Sequence, residues 1–408
     1  MQSDWPIVAL SDVLETIIDY RGKTPPKSKD GIAVLTAASV KDGRVLKDKV
    51  SYISQETYEK VTTRGFPKKG DVLITTEAPV GEVAPFPVDK TYHITRRIMA
   101  LRGQCDVIDS DFLLYALLGP NNQSQLKACI RGSTVPRVLK TDITGLKFPL
   151  PPLFIQKQIG RFLASVDEKI HLNNQTNQTL EQMAQAIFKS WFVDFNPVKA
   201  KINGELPEGM DAATASLFPE KLVESELGLI PDGWNAVQVG DIVQRLKPKK
   251  RYTKKQVEPY GKTPVYEQGA SILLGFHNDD AGFEASPEAP VFIFGDHTCI
   301  THLSCSKFDI SSNVIPLQGS VRPTIWTYYA IQGKQEFQEY RRHWSEFIIK
   351  DVVLPPVELA EKYAELVTTK YLMMESLKRQ SKELEQLRDT LLPKLLSGEI
   401  ELDKVLDV

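Results

Sequence analysis

From Ile155 to Trp191, and again from Leu359 to Leu395, apolar side chains recur in steps of three and four. A 3.5-residue rhythm predicts two long helices, each with a narrow seam that needs a partner helix. At ~1.5 Å per residue, each would form a rod of about 60 Å. Seam positions are Ile159, Phe162, Val166 and Leu180 in the first helix, and Leu377, Leu384 and Leu391 in the second. Polar Asn173 and Asn177 fall on the same stripe, where they either set the helix register or are simply exposed. The nearest partner for each helix is the other, since pairing within one chain costs no association entropy. Each helix follows a globular stretch, and the first ends where the second globular stretch begins, which favours an antiparallel pair.

Outside the helices the pattern shortens. Val34–Thr36, Asp71–Thr76, Glu82–Pro85 and Ile98–Leu101 are apolar or β-branched runs bounded by Gly and Pro, and read as strands. Residues 111–118 read as a helix, with 123–130 as its continuation or a second one. Further on, Pro290–Phe294, Cys299–Leu303 and Val314–Leu317 read as strands, and Pro323–Tyr340 as a helix opened by proline. Both globular stretches are therefore expected to be α+β.

The two halves repeat. Leu150-Pro151-Pro152 and Leu354-Pro355-Pro356, each just ahead of a long helix, lie 204 residues apart. Trp5–Val13 matches Trp234–Ile242 at an offset of 229, and Tyr115-Ala116-Leu117 matches Tyr329-Ala330-Ile331 at 214. Gly70-Asp71 and its strand resemble Gly295-Asp296 and the apolar run around it, at 225. The falling offset implies shorter loops in the second copy, a change that loops absorb cheaply. The expected domains are 1–151, a first helix 152–194, a linker 195–232 rich in Pro, Gly and charge, a second domain 233–354, a second helix 355–397 and a tail 398–408.

Composition narrows the class. The 408 residues are 42% hydrophobic and 25% charged, as in ordinary globular proteins. No apolar run is long enough to span a bilayer, and the start, MQSDWPIVALSDV, lacks the pattern of a secretion signal. Cys105, Cys129, Cys299 and Cys305 form no Cys-x-x-Cys pair, so reduced thiols in a cytoplasmic protein are expected. A net charge of −2 excludes a uniformly cationic surface, but local clusters set the field at a groove.

One such cluster is Lys247–Lys255, with Lys249, Lys250, Arg251, Lys254 and Lys255 and no acid. It is either a solvated loop or a phosphate contact driven by counterion release. Lys23, Arg96, Arg97, Arg131, Arg137, Arg341 and Arg342 are candidates for guanine or phosphate contact, or for pairing with acidic side chains. Asp296, His297, Cys299, His302 and Cys305 suggest zinc, but strand alternation would separate His302 from His297 and Cys299, so no metal is expected. Trp191 and Phe192 read as core or seam residues. Asp194-Phe195-Asn196-Pro197 approaches an amino-methyltransferase motif but lacks its second proline and aromatic. With no Gly-rich cofactor loop and no Walker sequence, no catalytic centre is expected.

Several segments resemble the DNA-specificity subunit of type I restriction-modification systems. They are Leu150-Pro151-Pro152 with its helix, residues 188–201 (FKSWFVDFNPVKAK), residues 225–234 (SELGLIPDGW) and residues 391–400 (LLPKLLSGEI). Gly132-Ser133-Thr134-Val135-Pro136 matches more loosely, and no counterpart of it is evident near Arg341-Arg342-His343. The resemblance implies two similar α/β target-recognition domains joined by two long antiparallel coiled-coil helices with pseudo-two-fold symmetry. Each domain would read half of a split double-stranded DNA site. It further implies two methyltransferase subunits docked on the helices, restriction and translocase subunits in the full complex, and S-adenosylmethionine, ATP and Mg²⁺ on those partners rather than on this chain. The rival expectation is a coiled-coil scaffold that binds proteins only.

Overall fold

The computed structural model describes residues 4–20 and 24–402. The chain forms two compact units, residues 1–171 with 381–408, and residues 172–380. Both are α+β. No described helix is long and apolar enough to cross a membrane.

In the first unit a four-stranded sheet has the order Leu14–Asp19, Ile98–Gly103, Val72–Thr76, Val80–Pro85, antiparallel throughout. Every residue of Val72–Thr76 is buried, which explains its unbroken apolar run. Ahead of it, Gly70 turns with φ +91 and Asp71 is buried against Arg102, whose Nε and Nη2 donate to its carboxylate at 2.7 and 2.8 Å. Helix Ser110–Leu118 covers the sheet, and the Asp109 side chain caps it by accepting from the amides of Asp111 and Phe112. Gly119 ends this helix and Pro120 starts a second, Pro120–Ala128.

The second unit repeats this plan. Its sheet runs Val243–Arg245, Val314–Gly319, Val291–Gly295, Thr301–Ser304, again antiparallel, with helix Thr324–Ile331 packed on it. Each unit also has a second sheet: a three-stranded one with one parallel pair, Ala33↔Tyr92, in the first, and a four-stranded one with two parallel pairs, Arg251↔Ile310 and Val265↔Asp309, in the second. In each, a short ribbon joins the start of the domain to the strand before the long helix: Ile7–Ala9 with Lys147–Pro149, and Asn235–Gln238 with Asp351–Leu354.

Four local expectations are corrected. The helix after Pro323 stops at Ile331 rather than Tyr340, because Gly333 takes φ +69 and turns the chain away. Cys299 has φ +58 inside a turn closed by its amide on the Gly295 carbonyl at 2.8 Å, so the strand begins at Thr301. Gly70-Asp71 precedes its strand, whereas Gly295-Asp296 ends the equivalent one, so those dipeptides do not correspond. The stretch expected to be a linker is folded: it holds helices Asn196–Ile202 and Ala212–Ser216 and a hairpin of Leu222–Ser225 with Gly228–Pro231. Phe195, Val198, Phe218 and Ile230 are its buried anchors, and all but Ile230 belong to the main core of the second unit.

The long helices are Leu153–Phe192 and Val357–Ser397, of 40 and 41 residues. Each gives one half to each unit. In the second unit Asn173 Nδ2 donates to Gln380 Oε1 at 2.9 Å, and Tyr363 Oη donates to the Ala184 carbonyl at 3.1 Å. Partner numbers fall as the first helix advances, so the pair is antiparallel. In the first unit Ile159 and Leu163 share a core with Leu391, Leu392 and Leu395. The buried stripe is displaced slightly from the expected one. Leu163 is fully buried while Phe162 is half-buried, and Val367 is buried while Leu366 is exposed. Each helix buries a face against its domain as well as against its partner, which widens the apolar stripe beyond a two-helix seam. Val166 and Asn173 are buried, and Asn177, Leu180, Leu377 and Leu384 are half-buried.

Candidate nucleic-acid interface

In the first unit the exposed arginines gather where strand Val72–Thr76 ends. The Thr76 amide donates to the Arg97 carbonyl at 2.9 Å, and the Val138 amide to the Thr76 carbonyl at 3.0 Å. Glu77, next in the chain, holds Arg97 through Nη2 at 2.8 Å. Beside it, Arg131 and Arg137 exchange both backbone hydrogen bonds, each 2.9 Å, and close an exposed loop of Gly132-Ser133-Thr134-Val135-Pro136. Gly132 has φ +87, and a Cβ there would lie 2.8 Å from the Val135 carbonyl oxygen, so the turn requires glycine. The Arg131 guanidinium is committed to Asp142, and this pairing holds the Asp142 carboxyl below its usual range. Arg96 and Arg137 are exposed and have no ion pair among the described residues. Lys23 lies outside the described residues.

The second unit has a related edge. Asp296 follows strand Val291–Gly295 just as Glu77 follows its strand. Its carbonyl accepts from the His343 amide at 2.8 Å, and its carboxylate accepts from the Trp344 amide at 3.0 Å. Arg342 Nε lies 3.8 Å from the same carboxylate, with its side chain 79% exposed. The Arg341-Arg342-His343 segment thus occupies the place of the Arg131–Arg137 loop, although the two sequences share no motif. Arg341 itself is held by Glu339 and Glu346.

The basic run divides into inward and outward cations. Arg251 is half-buried and donates from Nη1 to the carbonyls of Ser311 and Val314 at 2.8 and 2.9 Å, so it braces the fold rather than facing a ligand. Tyr252 is buried and stacked on His277, with ring centres 4.2 Å apart. Lys250 Nζ sits 4.3 Å from the Tyr252 ring centre and 3.6 Å from Asp279. Lys249, Lys254 and Lys255 are exposed, with no ion pair among the described residues. These three, with Arg96, Arg137 and Arg342, are the candidates best placed for an anionic partner.

Among the described residues no group of three or more His, Cys, Asp or Glu side chains is placed to hold a metal. His297 meets the edge of Tyr340, and His302 meets Tyr266. Burial lowers the His302 pKa to about 4 and pushes the Cys305 thiol up to about 12. Asp194-Phe195-Asn196-Pro197 is a corner between helices, with Phe195 buried at φ +54. Trp191 and Phe192 lie in the core. Sequence reasoning missed Glu77, which holds Arg97, and weighed Asp296 only as a metal ligand and not as the acid beside Arg342. Their only signal was an acid directly after an apolar run.

A model of the type I restriction modification DNA specificity domain matches residues 2–182. The chain is 26% identical over 403 aligned positions to the HindI type I restriction enzyme specificity subunit of Haemophilus influenzae, covering 82% of this chain and 87% of that protein. It is 23% identical over 390 positions to the MjaIX specificity subunit of Methanocaldococcus jannaschii, covering 86% and 82%. In fold it is similar to the crystal structure of a type I restriction-modification S subunit from M. genitalium, with TM-score 0.57 and 14% identity over 96% of both chains.

Proposed function

We propose that the chain is a specificity subunit of a type I restriction-modification system, and that its two units each read one half of a split, asymmetric double-stranded DNA site. It is a recognition component without catalysis of its own. The observation that carries the two-part reading is the repeated edge: the end of the same sheet strand docks an arginine-bearing segment in each unit, the Val138 amide beside Arg137 donating to the Thr76 carbonyl and the His343 amide beside Arg342 donating to the Asp296 carbonyl. Flanking cations would contact phosphate, and exposed arginines would reach guanine edges in the major groove. The two edges differ in sequence, so the half-sites should differ.

The partners follow from the same family. We place two methyltransferase subunits on the long helices and restriction and translocase subunits in the full complex, working on cytoplasmic DNA. S-adenosylmethionine, ATP and Mg²⁺ would be held by those subunits. A scaffold that binds proteins only is not favoured by the family. The test is to replace residues 233–354 with the corresponding domain of another specificity subunit and map the methylated sites. One half-site should change and the other stay the same; a change in both would end the two-part reading.

A further inference from the structure

A buried tyrosine meets a carboxylate of the long helices once in each unit. In the first, Tyr115 Oη donates to Asp167 Oδ2 at 2.7 Å, and Arg388 Nη1 donates to Asp167 Oδ1 at 2.6 Å. Arg44, from the hairpin of Val40–Lys41 with Arg44–Val45, donates from Nη2 to the Asp167 carbonyl at 2.6 Å, and its Nη1 lies 3.2 Å from His171 Nδ1. A sheet-covering helix, a hairpin and both long helices therefore converge on one aspartate.

In the second unit the equivalent tyrosine, Tyr329, donates to Glu181 Oε1 at 3.0 Å. Tyr371 of the second long helix donates to Glu181 Oε2 at 2.7 Å, and the two phenol oxygens lie 2.8 Å apart. Tyr115, Tyr329 and Tyr371 are buried. Burial raises the pKa of Tyr115 and Tyr329, so each stays a neutral donor to its carboxylate. Asp167 and Tyr371 are themselves 204 residues apart, the spacing of the Leu-Pro-Pro steps. The repeat has therefore kept a polar node at one place while exchanging its chemistry.

Apolar packing between a helix and a domain is non-directional and tolerates small slides. A hydrogen bond to a carboxylate is short and angle-dependent, and it does not. We propose that Asp167 with Tyr115 and Arg388, and Glu181 with Tyr329 and Tyr371, are positioning residues that fix the angle of each reading domain on its own helix segments. They thereby set how strictly the protein demands one gap between half-sites. This rests on the two-part DNA reading above.

The test uses the full chain assembled with its methyltransferase partners. Methylation is measured on duplexes carrying the natural site, and on the same site with its gap one base pair shorter or longer. Tyr115→Phe and Tyr329→Phe should each reduce the preference for the natural gap by roughly tenfold, the factor a lost hydrogen bond to a charged group supports. Methylation at the natural gap should be little changed. Arg388→Gln leaves the buried phenols in place and supplies the same readout should a phenylalanine variant not assemble. A purely structural role would lower the melting temperature and leave the gap preference intact, and that result overturns the proposal. A wild-type complex indifferent to the gap would overturn the two-part reading itself, a failure visible before any variant is made.

Discussion

Where the long helices meet the first unit, the core is mostly aliphatic: Ile159, Leu163, Leu391 and Leu395 pack in one cluster with Phe112. The same place in the second unit is aromatic. Phe188 and Phe192 lie against Trp326, and with Trp191 they surround Tyr363. Strand order and helix placement are nevertheless the same. A duplicated backbone can therefore exchange one packing solution for another, provided each site stays filled in low-energy rotamers. The polar features diverged in parallel: an arginine–aspartate pair completes the node of the first unit, and a second phenol completes that of the second.

The sharpest way to break this comparison is to empty each core in turn. Trp326→Ala should cost ~3–5 kcal/mol and Leu163→Ala ~2–5 kcal/mol. Hydrogen exchange should place the loss from Trp326→Ala within residues 172–380, and that from Leu163→Ala within 1–171 and 381–402. Equal loosening of both units by either variant would mean that they are not separate packing problems.

Acid sharpens the comparison next. His93 in the first unit is buried and its pKa is lowered from 6.5 to about 4 by burial. The unfolded chain takes up this proton below pH 6.5, whereas the folded chain resists until about 4. Stability from this group is thus full above pH 6.5 and lost as pH falls to 4, by up to about 3 kcal/mol. His302 in the second unit is lowered to a similar value, also by burial, so its share should be similar. Denaturant titrations across that range should show a steep fall for wild type and a flatter one for His93→Gln. An unchanged profile would contradict the burial.

The smallest effect per residue concerns the outward lysines. Changing Lys249, Lys254 and Lys255 to Glu should weaken DNA binding and reduce the salt slope by roughly 0.9 for each phosphate left without its cation. Arg251→Gln should instead lower stability, since the carbonyls of Ser311 and Val314 lose their donor. An unchanged salt slope for the triple variant would remove the lysines from the interface.

Much of the architecture was legible because it rests on long periodic signals. Two helices of 40 and 41 residues carry enough repeats to average out any one misplaced position. What they bury was less legible: the shift from Phe162 to Leu163 arises because the domain covers a second stripe that a two-helix pattern ignores. The candidate interface was visible as a set of cations, but not which of them are spoken for. Arg131 and Arg341 look alike in sequence to Arg137 and Arg342, and only tertiary placement of Asp142 and Glu346 separates them. The Tyr115 and Tyr329 repeat was visible as a match between halves; its partners Asp167 and Glu181, both on the first long helix, were not.

Both long helices are divided between units, and this bears on the order in which the molecule can be made. The first unit takes in residues 381–402, among them Leu391, Leu392 and Leu395. Its segment up to residue 171 leaves the ribosome with an open apolar flank that stays uncovered until residues 381–402 have been translated. The middle unit, built from one continuous stretch, is free to close before it. The unit begun before the middle one is thus completed after it, and nascent chains stalled near residue 380 should be the form most dependent on chaperones.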